Sequence, residues 1–249
     1  SGALSVKERV EFGENNEEKY SLKEMLQFLR YKPIWAAFAA TLIVGTGSSI
    51  AGGAGAYFYT YVLGDMKLMS GVSVIGLIAS LVGIVMGPYL ANRFGKKKVY
   101  LTAVIISTAL NLLRLLGVTS MILIYISALI GGVAGGWMVP VNTSIQADNT
   151  TYVQYKTGKR AEAAIASLTS FVSKVAQGLG GAIPGYVIAA YGFVTGASVQ
   201  PESINTGIIL CALILPLIFG ILGLLIFGTQ YTLDQKAVIE MDAKINRNN

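Results

Sequence analysis

The 249-residue chain is 53% hydrophobic and only 13% charged, with a mean hydropathy of +0.60 and a net charge of +6. Soluble domains carry about 25% charged residues, so the composition is that of a membrane protein. With no histidine and one cysteine, Cys211, a disulfide framework, a Cys/His metal site and a His-based catalytic triad are excluded.

Residues 1–32 are polar. The chain begins Ser-Gly-Ala, with no charged n-region followed by a short apolar segment. That start predicts no signal peptide and suggests a fragment. Ser21-Leu22-Lys23-Glu24 has the spacing of a capping box, and Leu22, Met25, Leu26 and Leu29 follow at helical intervals. The pattern predicts a short amphipathic helix on the inner membrane surface; a solvated linker is the alternative reading.

Apolar runs near or above the roughly 20 residues needed to cross a bilayer cover 34–63, 71–91, 99–117, 120–146, 163–191 and 205–229. Residues 33–229 thus read as a six-helix transmembrane bundle and 230–249 as a cytoplasmic tail. Gly45, Gly47, Gly52, Gly53 and Gly55 predict a bent or broken first span. Gly117-Val118-Thr119-Ser120 reads as a tight turn between the third and fourth.

Lys and Arg set the orientation. One side holds Lys7, Arg9, Lys19, Lys23, Arg30, Lys32, Arg93, Lys96–Lys98, Lys156, Lys159, Arg160 and the tail; the other holds only Lys67. Both termini are therefore expected in the cytoplasm, with the chain in the cell membrane. Lys96-Lys97-Lys98 is a topology signal first and an anionic-lipid contact second; no nucleic-acid partner is expected.

Polar groups inside the spans are the candidate functional residues. Lys174 is the one acid or base between Ala163 and Pro201. At about 1.5 Å per residue it lies some 18 Å into its helix, near mid-membrane. Lysine at that depth costs about 2.5–3.5 kcal/mol even on the lower scales. Ser167, Ser170, Lys174, Gly178, Gly181 and Gly185 share one stripe; Ile165, Leu168, Val172, Val175, Leu179 and Ile183 share the opposite one. The expectation is that Lys174 points into a bundle or cavity and the aliphatic stripe faces lipid. A neutral lysine packed between helices is the alternative.

Arg114 is the second intramembrane cation, either functional or snorkelling to the outer interface. The fourth span carries Trp137, Pro140, Asn142, Thr143, Ser144 and Gln146. A mid-helix proline beside polar side chains is common at transporter sites, which makes Asn142 and Gln146 candidate lining residues. Trp137 either stacks on a sugar ring or fills space. Gly131, Gly132, Gly135 and Gly136, like Gly178, Gly181 and Gly185, suit close helix approach. The Gly-x-Gly patterns lack the strand and lysine of nucleotide loops. Without histidine, paired buried carboxylates or an activated nucleophile, an enzyme is not expected.

Gly87-Pro88-Tyr89-Leu90-Ala91-Asn92-Arg93-Phe94-Gly95-Lys96-Lys97 resembles the G-x-x-x-D-R-x-G-R-K loop of the major facilitator superfamily, with Asn92 replacing the usual acid. Ala147-Asp148, Tyr152, Lys156-Thr157-Gly158-Lys159-Arg160-Ala161-Glu162, then Ser167, Phe171 and Lys174 resemble the signature of the glycoside–pentoside–hexuronide:cation symporters, the melibiose permease family. Lys7-Glu8-Arg9-Val10 is similar to that family's central loop, and Lys32-Pro33 with Trp35 to the entry of its seventh helix. The chain departs from the pattern at Thr151, where a second Asp is usual, and at Val153-Gln154.

The resemblance implies an all-α membrane protein whose six transmembrane helices form the C-terminal half of a major-facilitator-type bundle. The implied function is sugar or glycoside symport with Na⁺ or H⁺ by alternating access; a transport-incompetent scaffold or sensor on the same helices is the alternative. It places Lys174 near the sugar and cation sites, with Ser170 one turn before it. Asn92, Arg93, Gly95, Lys96, Asp148, Arg160 and Glu162 fall in its cytoplasmic gating loops. The cation-holding aspartates would belong to a missing N-terminal half, so no metal site and no cofactor are expected here. The implied partners are a small sugar or glycoside, the lipid bilayer and that missing half.

Overall fold

A computed structural model describes residues 22–159, 161–197 and 199–248. No strand occurs among the described residues. A short helix, α1 (Leu22–Gln27), and a 3-10 turn lead into α2 (Lys32–Tyr57), which ends in a π turn over Phe58–Val62. Next come α3 (Lys67–Phe94), α4 (Lys96–Leu115), α5 (Met121–Thr157) and α6 (Glu162–Ala190). The last span is α7 (Ser203–Ile209), a π turn over Leu210–Ile214, and α8 (Leu215–Gln230); α9 (Gln235–Asn248) follows.

Five of these segments are long and apolar enough to cross a membrane: α2 with its π turn, α3, α4, α5 and α7–α8. At 29 residues α6 has the length, but Lys174, Gln177 and its serines and glycines keep its apolarity below the other five. On α3 the side chains of Val74, Leu77, Ile78, Leu81, Val82 and Val85 are all exposed, Val85 to 80%. So large an apolar face is not sustained in water. The chain is an all-α membrane protein.

The bundle forms two packed groups, α2–α6–α8 and α3–α4–α5, joined where α4 meets α8. Small residues set the contacts, since helices in lipid gain stability chiefly from close packing. Between α3 and α5, a Cβ on Gly83 would fall on the Val133 carbonyl, and one on Gly136 on the Ser80 carbonyl. Between α2 and α6, Gly180 lies against Thr46, Ser49 and Ile50.

Several expectations change. The glycines of the first span do not break it: α2 is unbroken from Lys32 to Tyr57. Gly45, Gly47 and Gly53 sit instead where Ala176, Phe219 and Pro184 come close. Gly178, Gly181 and Gly185 meet nothing within contact range, so the close-approach glycine of α6 is Gly180. The fourth helix runs on to Thr157, eleven residues beyond the apolar run. It stops at Gly158, whose φ of 72° suits glycine, where the Gly158 N–H donates to the Gln154 carbonyl at 2.8 Å.

At the two termini, α1 docks on protein: Phe28 is buried, with Met25 and Leu29 beside it, against Ile34, Phe38, Ile165 and Leu168. That packing takes up part of the predicted apolar face, Met25 and Leu29, while Leu26 stays exposed; Ser21 of the capping box lies outside the described residues. The tail contains a helix, α9, which packs on α5, with Val238 and Met241 against the core.

Candidate functional site

The face that α6 turns to its neighbours is made of Ala164, Ile165, Leu168, Ala176, Gly180, Pro184 and Ile188, all buried. The opposite face carries Ser167, Ser170, Lys174, Gly178, Gly181 and Gly185, all exposed. Within this chain Lys174 therefore stands on an uncovered surface, not inside the bundle. Ile165 and Leu168 of the aliphatic stripe pack inward rather than toward lipid. The reason is contact distance. Ala176 and Gly180 let α2 approach, and they fix which side of α6 turns inward. The Lys174 ammonium donates to the Gln177 side-chain carbonyl at 3.4 Å, and no carboxylate pairs with it among the described residues.

On α5, Asn142 is half-buried. Gln146 accepts a 3.2 Å hydrogen bond from the Asn149 amide, and Asn149 is fully buried. Trp137 packs against the core around Val141 and Phe227, with its indole N–H buried and unpartnered. No hydrogen bond links Lys174 to Asn142, Gln146, Trp137 or Arg114. Arg114 lies elsewhere: its guanidinium carbon sits over the Phe58 ring, 5.0 Å from the ring centre, in a cavity between the π turn after α2 and helices α3, α4 and α5.

A second cluster forms where α3 turns into α4. Gly95, at φ 87°, makes the corner and aims the following lysines. The Lys96 ammonium meets the Asp148 carboxylate at 2.6 Å, and Lys97 donates to the Tyr231 carbonyl at 2.7 Å. The loop is thus tied both to α5 and to the end of α8. These groups border a cavity of about 540 Å³ that Lys98, Asp234 and Gln235 also line.

Tyr231 stacks on Phe227 at 4.5 Å. Burial, with the nearby negative charge of Asp148, raises the pKa of its phenol well above the usual range. Of the other expected loop residues, Asn92 and Glu162 are exposed, Glu162 joins no ion pair among the described residues, and Arg93 donates to the Tyr89 hydroxyl at 3.1 Å. Arg160 lies outside the described residues.

Residues 2–235 match the profile of the family described as MFS/sugar transport protein. The chain belongs to that family. This family member is 30% identical over 244 residues to "Uncharacterized symporter YjmB" of Bacillus subtilis, a match covering 96% of the chain and 52% of the relative. It is 29% identical over 231 residues to "Glucuronide carrier protein homolog" of Escherichia coli, covering 89% and 50%. It is 28% identical over 151 residues to "Isoprimeverose transporter" of Lactiplantibacillus pentosus, covering 60% and 31%. The chain thus spans about half the length of relatives such as YjmB.

Membership agrees with the glycoside–pentoside–hexuronide resemblance, and the matched proteins are transporters rather than enzymes. In this family member the described expected residues fall in four places: the α6 helix (Ser170, Lys174 and, at its start, Glu162), the end of α3 and the Lys96–Asp148 corner, the Arg114 cavity, and α5, where Trp137, Asn142 and Gln146 lie. The sequence reading missed Asn149, Tyr231 and the pairing of Lys96 with Asp148. Asn149 alone had a local signal, one turn past Gln146 on a single helix.

Proposed function

We propose that the chain is the C-terminal half of a secondary active transporter moving a sugar or glycoside together with Na⁺ or H⁺ by alternating access. The observation that carries this reading is the uncovered polar face of α6, where Lys174 has no carboxylate partner among the described residues. A cation at mid-membrane is stable only against a counter-charge or a wet cavity. A second bundle supplying that carboxylate would meet both needs. The half-length match to a symporter and a glucuronide carrier supports the same reading.

In this account Lys174 and Ser170 line the pathway, and the Lys96–Asp148 corner lies on the cytoplasmic side with both termini. The test is uptake by the full-length protein in proteoliposomes, using radiolabelled glucuronides and xylose-containing disaccharides under an imposed Na⁺ or H⁺ gradient. Gradient-driven accumulation above equilibrium is expected. Correctly inserted protein that accumulates none of these sugars under either gradient would contradict the proposal and favour a scaffold.

A further inference from the structure

The Arg114 cavity lies apart from the α6 face. It holds about 220 Å³ between the π turn of α2 and helices α3, α4 and α5, and its polar lining is Tyr59, Ser107, Asn111, Arg114 and Ser127. No aspartate or glutamate lines it, and no carboxylate pairs with Arg114 among the described residues. Two of its polar atoms, the Arg114 Nε and the Ser127 Oγ, are buried with no hydrogen-bond partner. Orphaned buried donors are rare, and each calls for a ligand or an ordered water. Here two of them line one cavity beside an uncompensated positive charge.

Phe58 covers one face of the guanidinium. A guanidinium held over an aromatic ring still has five N–H donors to offer an acceptor. An anion in the cavity would meet these donors and the hydroxyls of Ser107 and Ser127 and the Asn111 amide that line it, and would supply the negative charge that no lining residue carries. The size favours a small ion. Water occupies about 30 Å³ in the liquid, so the cavity takes a halide with a few waters more readily than a whole sugar.

We propose that this cavity is a binding site for a small monovalent inorganic anion of halide size, held by Arg114, Ser127, Ser107 and Asn111. The anion would neutralise the half-buried guanidinium and cross-brace α4 to α5. The cavity shares no lining residue with the α6 face. The same charge could be brought by the carboxylate of an acidic sugar, and the test separates the two sources.

The thermal unfolding midpoint of the purified full-length protein is followed as bromide replaces the bulky, non-sugar anion 2-(N-morpholino)ethanesulfonate at constant ionic strength, and separately as methyl glucuronide is added without bromide. A saturable rise with bromide is expected. Ser127→Ala, which keeps the charge, should weaken it about tenfold, as for loss of one hydrogen bond to a charged group. Arg114→Gln should abolish it. No saturable bromide response, or one that Ser127→Ala leaves unchanged, overturns the proposal even if Arg114→Gln fails to fold. A rise with methyl glucuronide but not bromide, lost in Ser127→Ala, would also overturn it by assigning the cavity to substrate.

Discussion

Lys96 and Asp148, 52 positions apart, meet at 2.6 Å with Asp148 only 9% exposed at its side chain. The pair pins the α3–α4 corner to α5. The Lys96 side chain is 22% exposed, so removing one member strands the other at a cost below the roughly 3–5 kcal/mol of a fully buried pair, whereas replacing both with apolar groups is often neutral. Lys96→Met should therefore lower the unfolding midpoint of the full-length protein, and Lys96→Met with Asp148→Leu should recover most of the loss. A double variant as unstable as the single would show that the charges are not coupled.

The α3–α5 contact leaves no room for a side chain at Gly83 or Gly136. Gly83→Ala and Gly136→Ala should each destabilise by about 1–3 kcal/mol through overpacking. Gly178→Ala and Gly181→Ala, which meet open space on α6, should be neutral or stabilise by up to about 1 kcal/mol. Denaturation in a mild detergent distinguishes the two pairs. Equal effects at all four positions would contradict the packing described.

The topology can be read by thiol labelling, because the chain's one cysteine, Cys211, is fully buried and should stay silent. Single cysteines placed at Lys97 and Lys159 should resist an impermeant reagent in intact cells and react after permeabilisation. Reaction from outside would reverse the proposed orientation.

The spans were legible because a bilayer demands long apolar runs, and hydropathy records them directly. The π turns at Phe58–Val62 and Leu210–Ile214 left no such mark. The continuation of α5 past Asp148 was hidden for a related reason: polar residues end an apolar run without ending a helix. On α6 the polar stripe was correctly grouped, but Ile165 and Leu168 of the aliphatic stripe pack inward rather than toward lipid. Close approach depends on small residues such as Ala176 and Gly180, and on which partner helix exploits them. The Lys96–Asp148 pair, distant in sequence, could not be read before the fold brought its members together.

The central claim is that Lys174 serves the transport pathway against a carboxylate from another bundle. The most direct measurement is gradient-driven sugar accumulation by full-length Lys174→Val and Lys174→Arg at matched membrane levels. The account predicts that Lys174→Val inserts normally and accumulates no sugar. It predicts poor rescue by Lys174→Arg, since a planar guanidinium does not replace a compact ammonium in a fitted site. Wild-type accumulation by Lys174→Val would show that the lysine is a surface residue with no part in transport.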